Sequence, residues 1–202
     1  MKNLILLTIF AIAFSFAIYY NENFLIKITK QEKPLPLKKI NSINNRINLY
    51  FKDNSKIILN DKDSIIFFLN NTNKDSIQLK EFIINSKIIQ QKLTKEVNSY
   101  YININENKKH TIFYKDEKLN IDSKTMLSLY NIDTVPTLIF LDMNNKEIFS
   151  LIGKLGEQQL IATLNFIKDK LYKNKDRKSG EVYNSLIEYY KKNAITIENF
   201  IK

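Results

Sequence analysis

The segment Tyr130-Asn-Ile-Asp-Thr-Val-Pro-Thr-Leu-Ile-Phe-Leu-Asp142 decides how the rest of this chain of 202 residues is interpreted. The residues that lead into it, Thr125–Tyr130, predict a short helix. Pro136 then indicates a loop, because proline interrupts a helix and removes a backbone donor. Thr137–Leu141 has the apolar composition of a strand. The segment therefore leads from a helix, through a proline loop, into a strand.

The residues that follow this segment predict a hairpin and then a helix. A turn at Asp142–Lys146 joins Thr137–Leu141 to a second strand, Glu147–Ile152. Glu157–Leu171 carries its apolar residues on one face and predicts an amphipathic helix. Beyond a charged break, Val182–Tyr190 predicts another helix, and we assign residues 172–202 to a C-terminal helical extension.

The residues before this segment predict a buried strand followed by helix. Ser64–Leu69 is a continuous apolar run, as expected for a strand buried on both faces. Apolar residues then recur at helical intervals from Ile77 to Leu93, with a break near Asn85. Three other short strands are predicted, at Ile47–Phe51, Lys56–Leu59 and Val97–Ile104. Residues 105–120 are polar and Lys-rich, and no element is assigned to them.

The predicted order of elements carries a family resemblance. Strand, helix, strand, helix, strand, strand and helix can form one sheet with parallel and antiparallel strands. Together with the Val-Pro-Thr segment and the region Glu147–Leu164, this order resembles the thioredoxin-like superfamily over about residues 45–171. The resemblance implies an α/β, thioredoxin-like fold with a central mixed β-sheet and helices on both faces. We assign that domain to residues 46–171.

The resemblance implies a peptide-binding loop at Thr134, Val135 and Pro136. In this family the corresponding proline is in cis, and the backbone before it pairs with an extended substrate peptide. Val135 would take that place here and receive a strand by β-augmentation. The alternative is that Pro136 only shapes the loop.

The chain departs from the family at the positions that would carry its two cysteines. Asn73 and Ser76 occupy them, and the chain contains no cysteine at all. Disulfide exchange needs a thiolate at a helix N-terminus and a second thiol that resolves the mixed disulfide. Asn73 can instead cap the helix, and Asp75 in its first turn suits the helix dipole. We therefore predict a sound helix start with no catalytic residue.

The sequence gives little support for a catalytic triad, a metal site or nucleic-acid binding. The only histidine, His110, lies in a Lys-rich stretch, where we expect a solvated loop residue and not the base of a triad with Ser76. One histidine and no cysteine argue against a structural zinc site, and no cofactor is predicted. The net charge is +10, but the basic residues are spread along the chain and match no nucleic-acid-binding motif.

The N-terminus predicts export from the cytoplasm. Lys2 precedes an apolar run from Leu4 to Tyr20, which is typical of a signal peptide or a signal anchor over residues 1–20. Residues 21–45 are polar, contain Pro34 and Pro36, and predict a linker. The expected location is the bacterial periplasm, either released or held at the inner membrane.

These observations favour one function and leave two alternatives open. The favoured function is a cysteine-free, thioredoxin-like envelope protein that binds a peptide or protein, or acts as an accessory module, without catalysis. The first alternative is a thiol-disulfide oxidoreductase role, by descent or with thiols supplied by a partner. The second is a structural role in which the helix Val182–Tyr190 and the tail dock on a partner or a membrane.

Overall fold

The computed structural model describes residues 37–59, 62–114, 117–197 and 200–201. The apolar segment predicted over residues 1–20 lies outside them, as do residues 21–36 of the predicted linker. Within the described ranges, no helix is both long enough and apolar enough to span a membrane.

The central sheet is mixed, as predicted. Its strand order is β3-β2-β6-β7-β8, where β2 is Ser64–Leu69, β3 is Asn98–Asn103, β6 is Thr137–Leu141, β7 is Glu147–Gly153 and β8 is Phe200–Ile201. β2 runs parallel to β3 and antiparallel to β6. Every residue of β2 and of β6 is buried, which is the environment that their apolar sequences predict.

The helices largely follow the apolar periodicity. Those of the described residues are α1 (Leu37–Ile47), α2 (Lys74–Asn85), α3 (Lys87–Lys95), α4 (Ser123–Leu129), α5 (Glu157–Lys168) and α6 (Glu181–Lys192). The predicted break near Asn85 is confirmed, because Ser86 lies between α2 and α3 in an extended conformation. The helix predicted to reach Leu171 ends earlier, at Lys168.

Helices cover both faces of the central sheet. On one face, Phe140 stacks on Phe149 with ring centroids 4.6 Å apart, and Phe149 meets Phe166 of α5 at 6.3 Å. Ile139 points to the opposite face, since successive side chains of a strand alternate. There it belongs to an apolar cluster that includes Met126 of α4. The expectation of a thioredoxin-like α/β fold is confirmed.

A second, three-stranded sheet occupies the region that the sequence left unassigned. β4 (Lys109–Tyr114) and β5 (Glu117–Asp122) form an antiparallel hairpin, and β1 (Lys56–Ile57) pairs with β4 in parallel. Ile57 and Ile112 are fully buried in the same apolar cluster as Ile139. Polar and charged residues surround the apolar ones in this hairpin, and Ile112 is buried together with residues that are distant in the chain, such as Ile57 and Ile139.

The prediction of a polar linker is wrong for residues 37–45. They belong to α1, which the structure describes from Leu37. Ile43 and Ile47 are buried, and Arg46 donates from Nη2 to the carbonyl oxygen of Ile84 at 3.2 Å. Packing on α2 therefore stabilises a helix that the Asn- and Lys-rich composition conceals.

The strand predicted at Ile47–Phe51 is also wrong. Ile47 ends α1, and the next three residues, Asn48–Tyr50, form a 3-10 helix. Ile47 is fully buried as part of the helix face that meets α2. Tertiary packing thus overrides the strand-like composition of this segment.

The C-terminal extension packs against the rest of the domain. Val182, Leu186 and Tyr190 of α6 are buried, and the Tyr190 hydroxyl lies 2.5 Å from Thr163 Oγ1 of α5. The Phe166 and Tyr189 rings meet edge to face at 5.8 Å. The apolar face of this helix is therefore covered within the chain.

Candidate functional site

Asn73 caps the start of α2. Its backbone is extended, and its Oδ1 accepts a hydrogen bond from the backbone N–H of Ser76 at 2.9 Å. Asp75 lies in the first turn, where a negative charge favours the helix dipole. The residue that replaces the first cysteine thus satisfies one of the unpaired N–H groups of the helix start.

Ser76 is closed off from solvent and from other polar groups. Its relative exposure is 0%, and no described residue forms a hydrogen bond with its Oγ. A serine acts as a nucleophile only when a base within hydrogen-bond reach removes its proton. Ser76 has no such base among the described residues, so this arrangement provides no activated serine.

The loop before β6 has the expected proline geometry. The Val135–Pro136 peptide bond is cis. The carbonyl oxygen of Pro136 accepts from Gly153 N at 2.8 Å, and that of Thr134 accepts from Thr137 Oγ1 at 2.5 Å. Both flanking carbonyls therefore have partners within the chain.

Val135 differs from its neighbours. No described residue forms a hydrogen bond with its backbone N–H or C=O. Its side chain is half-buried and packs on the apolar cluster of the sheet, while Thr134 is exposed. The side chain thus holds the residue in place, while its backbone polar groups have no hydrogen-bond partner among the described residues.

The fold brings the helix start and the proline loop to the same end of the sheet. Phe68, next to last in β2, pairs with Thr137, the first residue of β6. α2 follows the end of β2 after four residues, and Pro136 directly precedes β6. The rings of Phe68 and Tyr130 are 5.8 Å apart at this end. The residues predicted as site positions therefore share one edge of the domain.

Lys80 is a feature of this end of the domain that sequence reasoning missed. It is 1% exposed, and its Nζ donates to Asn44 Oδ1 at 3.1 Å, Asn70 O at 2.9 Å and Asn71 Oδ1 at 2.8 Å. Burial lowers the pKa of Lys80 to about 8. The ammonium thereby links α1 to the segment before α2. In the sequence, the one sign that Lys80 would be buried is its position on the apolar face of a predicted helix.

His110 is not the solvated loop residue that the sequence predicted. It lies in β4 with 2% exposure, its Nδ1 is 2.7 Å from Asn54 O, and its Nε2 is 2.9 Å from Ser123 Oγ. Because a carbonyl only accepts, Nδ1 donates to Asn54 O. Ser123 is equally buried, so this pair joins β4 to α4 and offers no access to a substrate.

The described residues show no group of three or more His, Cys, Asp or Glu side chains able to hold a metal ion. The features gathered at the site end are thus a capped helix start, an unbonded peptide group and a buried lysine. The cap and the lysine hold backbone in place, and none of the three features is a redox group.

Comparison with known proteins agrees with this geometry. The sequence model of one family, described as a thioredoxin-like domain, matches residues 50–168, more than half of the chain. The chain belongs to the thioredoxin-like family. This thioredoxin-like domain lacks cysteine, so its site is a degenerate form of the family's site.

One solved structure shows the same fold, and a second is similar over part of the chain. A thioredoxin-fold protein from Helicobacter pylori is 25% identical, with a TM-score of 0.69 over 76% of this chain and 97% of that chain. Oxidised thioredoxin O2 from Arabidopsis thaliana is 16% identical, with a TM-score of 0.37 over 66% of this chain and 90% of its own. No curated protein matches this thioredoxin-like domain.

Proposed function

We propose that this thioredoxin-like domain is a non-catalytic module that binds an extended peptide or a partner protein in the bacterial envelope. The observation that carries the proposal is the unbonded peptide group of Val135, beside a helix start that has no thiol. The family resemblance supports it, because the backbone before the proline is where family members pair with a peptide.

Peptide binding of this kind needs no cysteine. In β-augmentation, backbone hydrogen bonds provide affinity, and side-chain pockets provide specificity. The carbonyls of Thr134 and Pro136 already accept hydrogen bonds within the chain, which leaves Val135 as the residue that can exchange two bonds with an added strand. Capping by Asn73 keeps α2 in place without a disulfide.

The compartment is part of the proposal and is supported by the sequence of residues 1–20. A basic residue followed by an apolar run is the pattern of an export signal, and an uncleaved segment would hold the domain at the inner membrane. Partners in this view are envelope proteins with extended segments. A cysteine-free chain also suits an oxidising compartment, where it forms no wrong disulfide.

N-methylation of a bound peptide tests the proposal directly. Immobilised random hexapeptides are screened with the full-length protein, and the tightest binder is then resynthesised with a single N-methyl group at each position in turn. We expect one position to lose about tenfold or more in affinity, because its N–H donates to Val135 O. Neighbouring positions, whose N–H groups point away in a strand, should tolerate the methyl group.

Two controls accompany this measurement. Lys118→Met, at an exposed position of β5 outside the proline loop, should bind the peptide as the wild type does. Insulin reduction by the purified protein should be absent, since the chain has no thiol. Tolerance of N-methylation at every position would disprove strand pairing, and measurable insulin reduction would disprove the non-catalytic part of the proposal.

A further inference from the structure

A cavity of about 170 Å³ lies beside the proline loop. Its floor is the face of β6 and β7 that carries Thr137, Ile139, Ser150 and Ile152, and its wall is the loop of residues 130–134. Thr137 pairs with Ile152 and Ile139 with Ser150 across the two strands, so these four side chains share one face. The cavity therefore adjoins Thr134, the residue directly before Val135.

The lining of this cavity combines apolar side chains with carboxylates. Ile132, Ile139 and Ile152 supply the apolar part, and Asp133 and Glu147 supply two acidic groups, while none of the described residues that line it is a lysine, arginine or histidine. The chain as a whole carries a net charge of +10. A cavity with acidic lining on a strongly basic protein is a local reversal of charge, which favours a cationic occupant.

The carboxylates of the cavity are not paired with a basic side chain of the described residues. Within the described ranges, neither Asp133 nor Glu147 forms an ion pair. The Glu147 side chain is exposed at its rim, yet desolvation by the surrounding atoms raises the pKa of its carboxyl, against a hydrogen bond with Ser150. An incoming cation would offset this desolvation and keep the carboxylate charged.

We propose that this cavity is the subsite for a lysine or arginine side chain of the peptide that pairs with Val135, an inference that rests on the proposed function. Lysine and arginine place an apolar stem along apolar surface and keep a charged head among polar groups. Here the stem would lie on Ile139 and Ile152, and the head would reach Glu147 and Asp133. A peptide strand bonded to Val135 would pass the rim of the cavity at Thr134. A lysine or arginine side chain of that strand could then enter the cavity.

The test uses peptides that differ only in the side chain for this subsite. Fluorescent extended peptides carrying lysine, arginine, norleucine or glutamate at one position are titrated into the full-length protein, and anisotropy gives each Kd. Norleucine keeps the lysine stem without its charge. We expect the lysine and arginine peptides to bind about fivefold more tightly than the norleucine peptide, and the glutamate peptide to bind most weakly.

Protein variants assign that preference to the cavity. Glu147→Gln keeps the size of the side chain and should bring the lysine and norleucine peptides to equal affinity. Glu188→Gln removes the same charge from an exposed position on α6 and should leave the preference unchanged. Persistence of the full preference in Glu147→Gln would overturn the assignment.

The outcomes separate the two proposals. Equal affinity of the wild type for lysine, norleucine and glutamate peptides would overturn the subsite, while peptide binding itself would stand. Loss of affinity on N-methylation together with a preference for glutamate would likewise overturn the subsite alone. Absence of binding for every peptide would overturn the proposed function and the subsite with it.

Discussion

Ser76 is a buried serine whose hydroxyl has no hydrogen-bond partner among the described residues. Ser99 provides a contrast, because its Oγ lies 3.1 Å from Tyr50 O and 3.0 Å from Leu93 O. A buried hydroxyl without a partner costs about 1–3 kcal/mol, whereas a hydrogen-bonded one contributes about 1 kcal/mol. At the scale of single residues, position 76 thus retains a polar group that does not stabilise the fold.

Replacing this serine should therefore stabilise the protein. We expect Ser76→Ala to raise the free energy of unfolding by about 0.5–1 kcal/mol, since it removes an unpaired hydroxyl and favours helix. Ser99→Ala, the matched control, should lower it by about 1 kcal/mol through the loss of a hydrogen bond. Urea denaturation followed by circular dichroism measures both. A destabilised Ser76→Ala would show that the hydroxyl has a stabilising partner.

At the scale of elements, α6 contributes to the core although it lies outside the region of family resemblance. Leu186 and Tyr190 are fully buried, and Tyr190 meets Thr163 of α5. The segment before α6 is held as well, because the Tyr172 hydroxyl donates to Asp63 Oδ2 at 2.8 Å and Arg177 Nη2 to Asp142 Oδ2 at 2.7 Å. The extension is thus attached to the domain at Tyr172, Arg177 and Tyr190.

A substitution in this helix should affect the stability of the domain. We expect Leu186→Ala to lower the free energy of unfolding by about 2–4 kcal/mol, as the loss of a fully buried leucine leaves a cavity. Asn184→Ala, on the exposed face of the same helix, should change it by less than about 0.5 kcal/mol. Chemical denaturation compares the two. Equal stability of both variants and the wild type would mean that α6 does not contribute to the folded core.

At the scale of the whole molecule, Lys80 makes stability depend on pH. Its folded pKa is lowered to about 8 from an ordinary value of 10.5, with desolvation by burial as the main cause. Between these values the unfolded state binds more protons than the folded state, so stability rises with pH. Burial raises the pKa of Tyr101, which opposes this rise only above about pH 10.

The free energy of unfolding should therefore increase by about 1 kcal/mol from pH 8 to pH 9.5. Lys80→Met removes the titrating group and should abolish the increase, whatever its effect on stability at one pH. Lys118→Met, on an exposed position of β5, serves as the control and should retain it. Urea titrations at four pH values measure the slope. A slope that is unchanged in Lys80→Met would contradict the assignment.

Much of the fold could be predicted from local patterns. β2, the β6–β7 hairpin and α5 follow from apolar runs, a turn and helical periodicity, which reflect interactions between residues close in the chain. β1 with the β4–β5 hairpin, and α1, were not fully predicted, because their few apolar residues gain burial only through distant partners. In α1, Leu37, Ile40, Ile43 and Ile47 do recur at helical intervals, but the polar residues between them, together with Pro34 and Pro36, favoured a linker.

The sequence by itself determined that this chain cannot exchange disulfides, since it has no cysteine, and that Asn73 can begin a helix, since capping is a local interaction. The tertiary structure alone decided which groups are left unbonded or buried. Val135 lacks backbone partners in the part of the chain that the structure describes, and His110 Nδ1 lies 2.7 Å from the carbonyl oxygen of Asn54, which is 56 residues away. Burial and pairing of this kind depend on the packing of distant segments, which composition and periodicity do not encode.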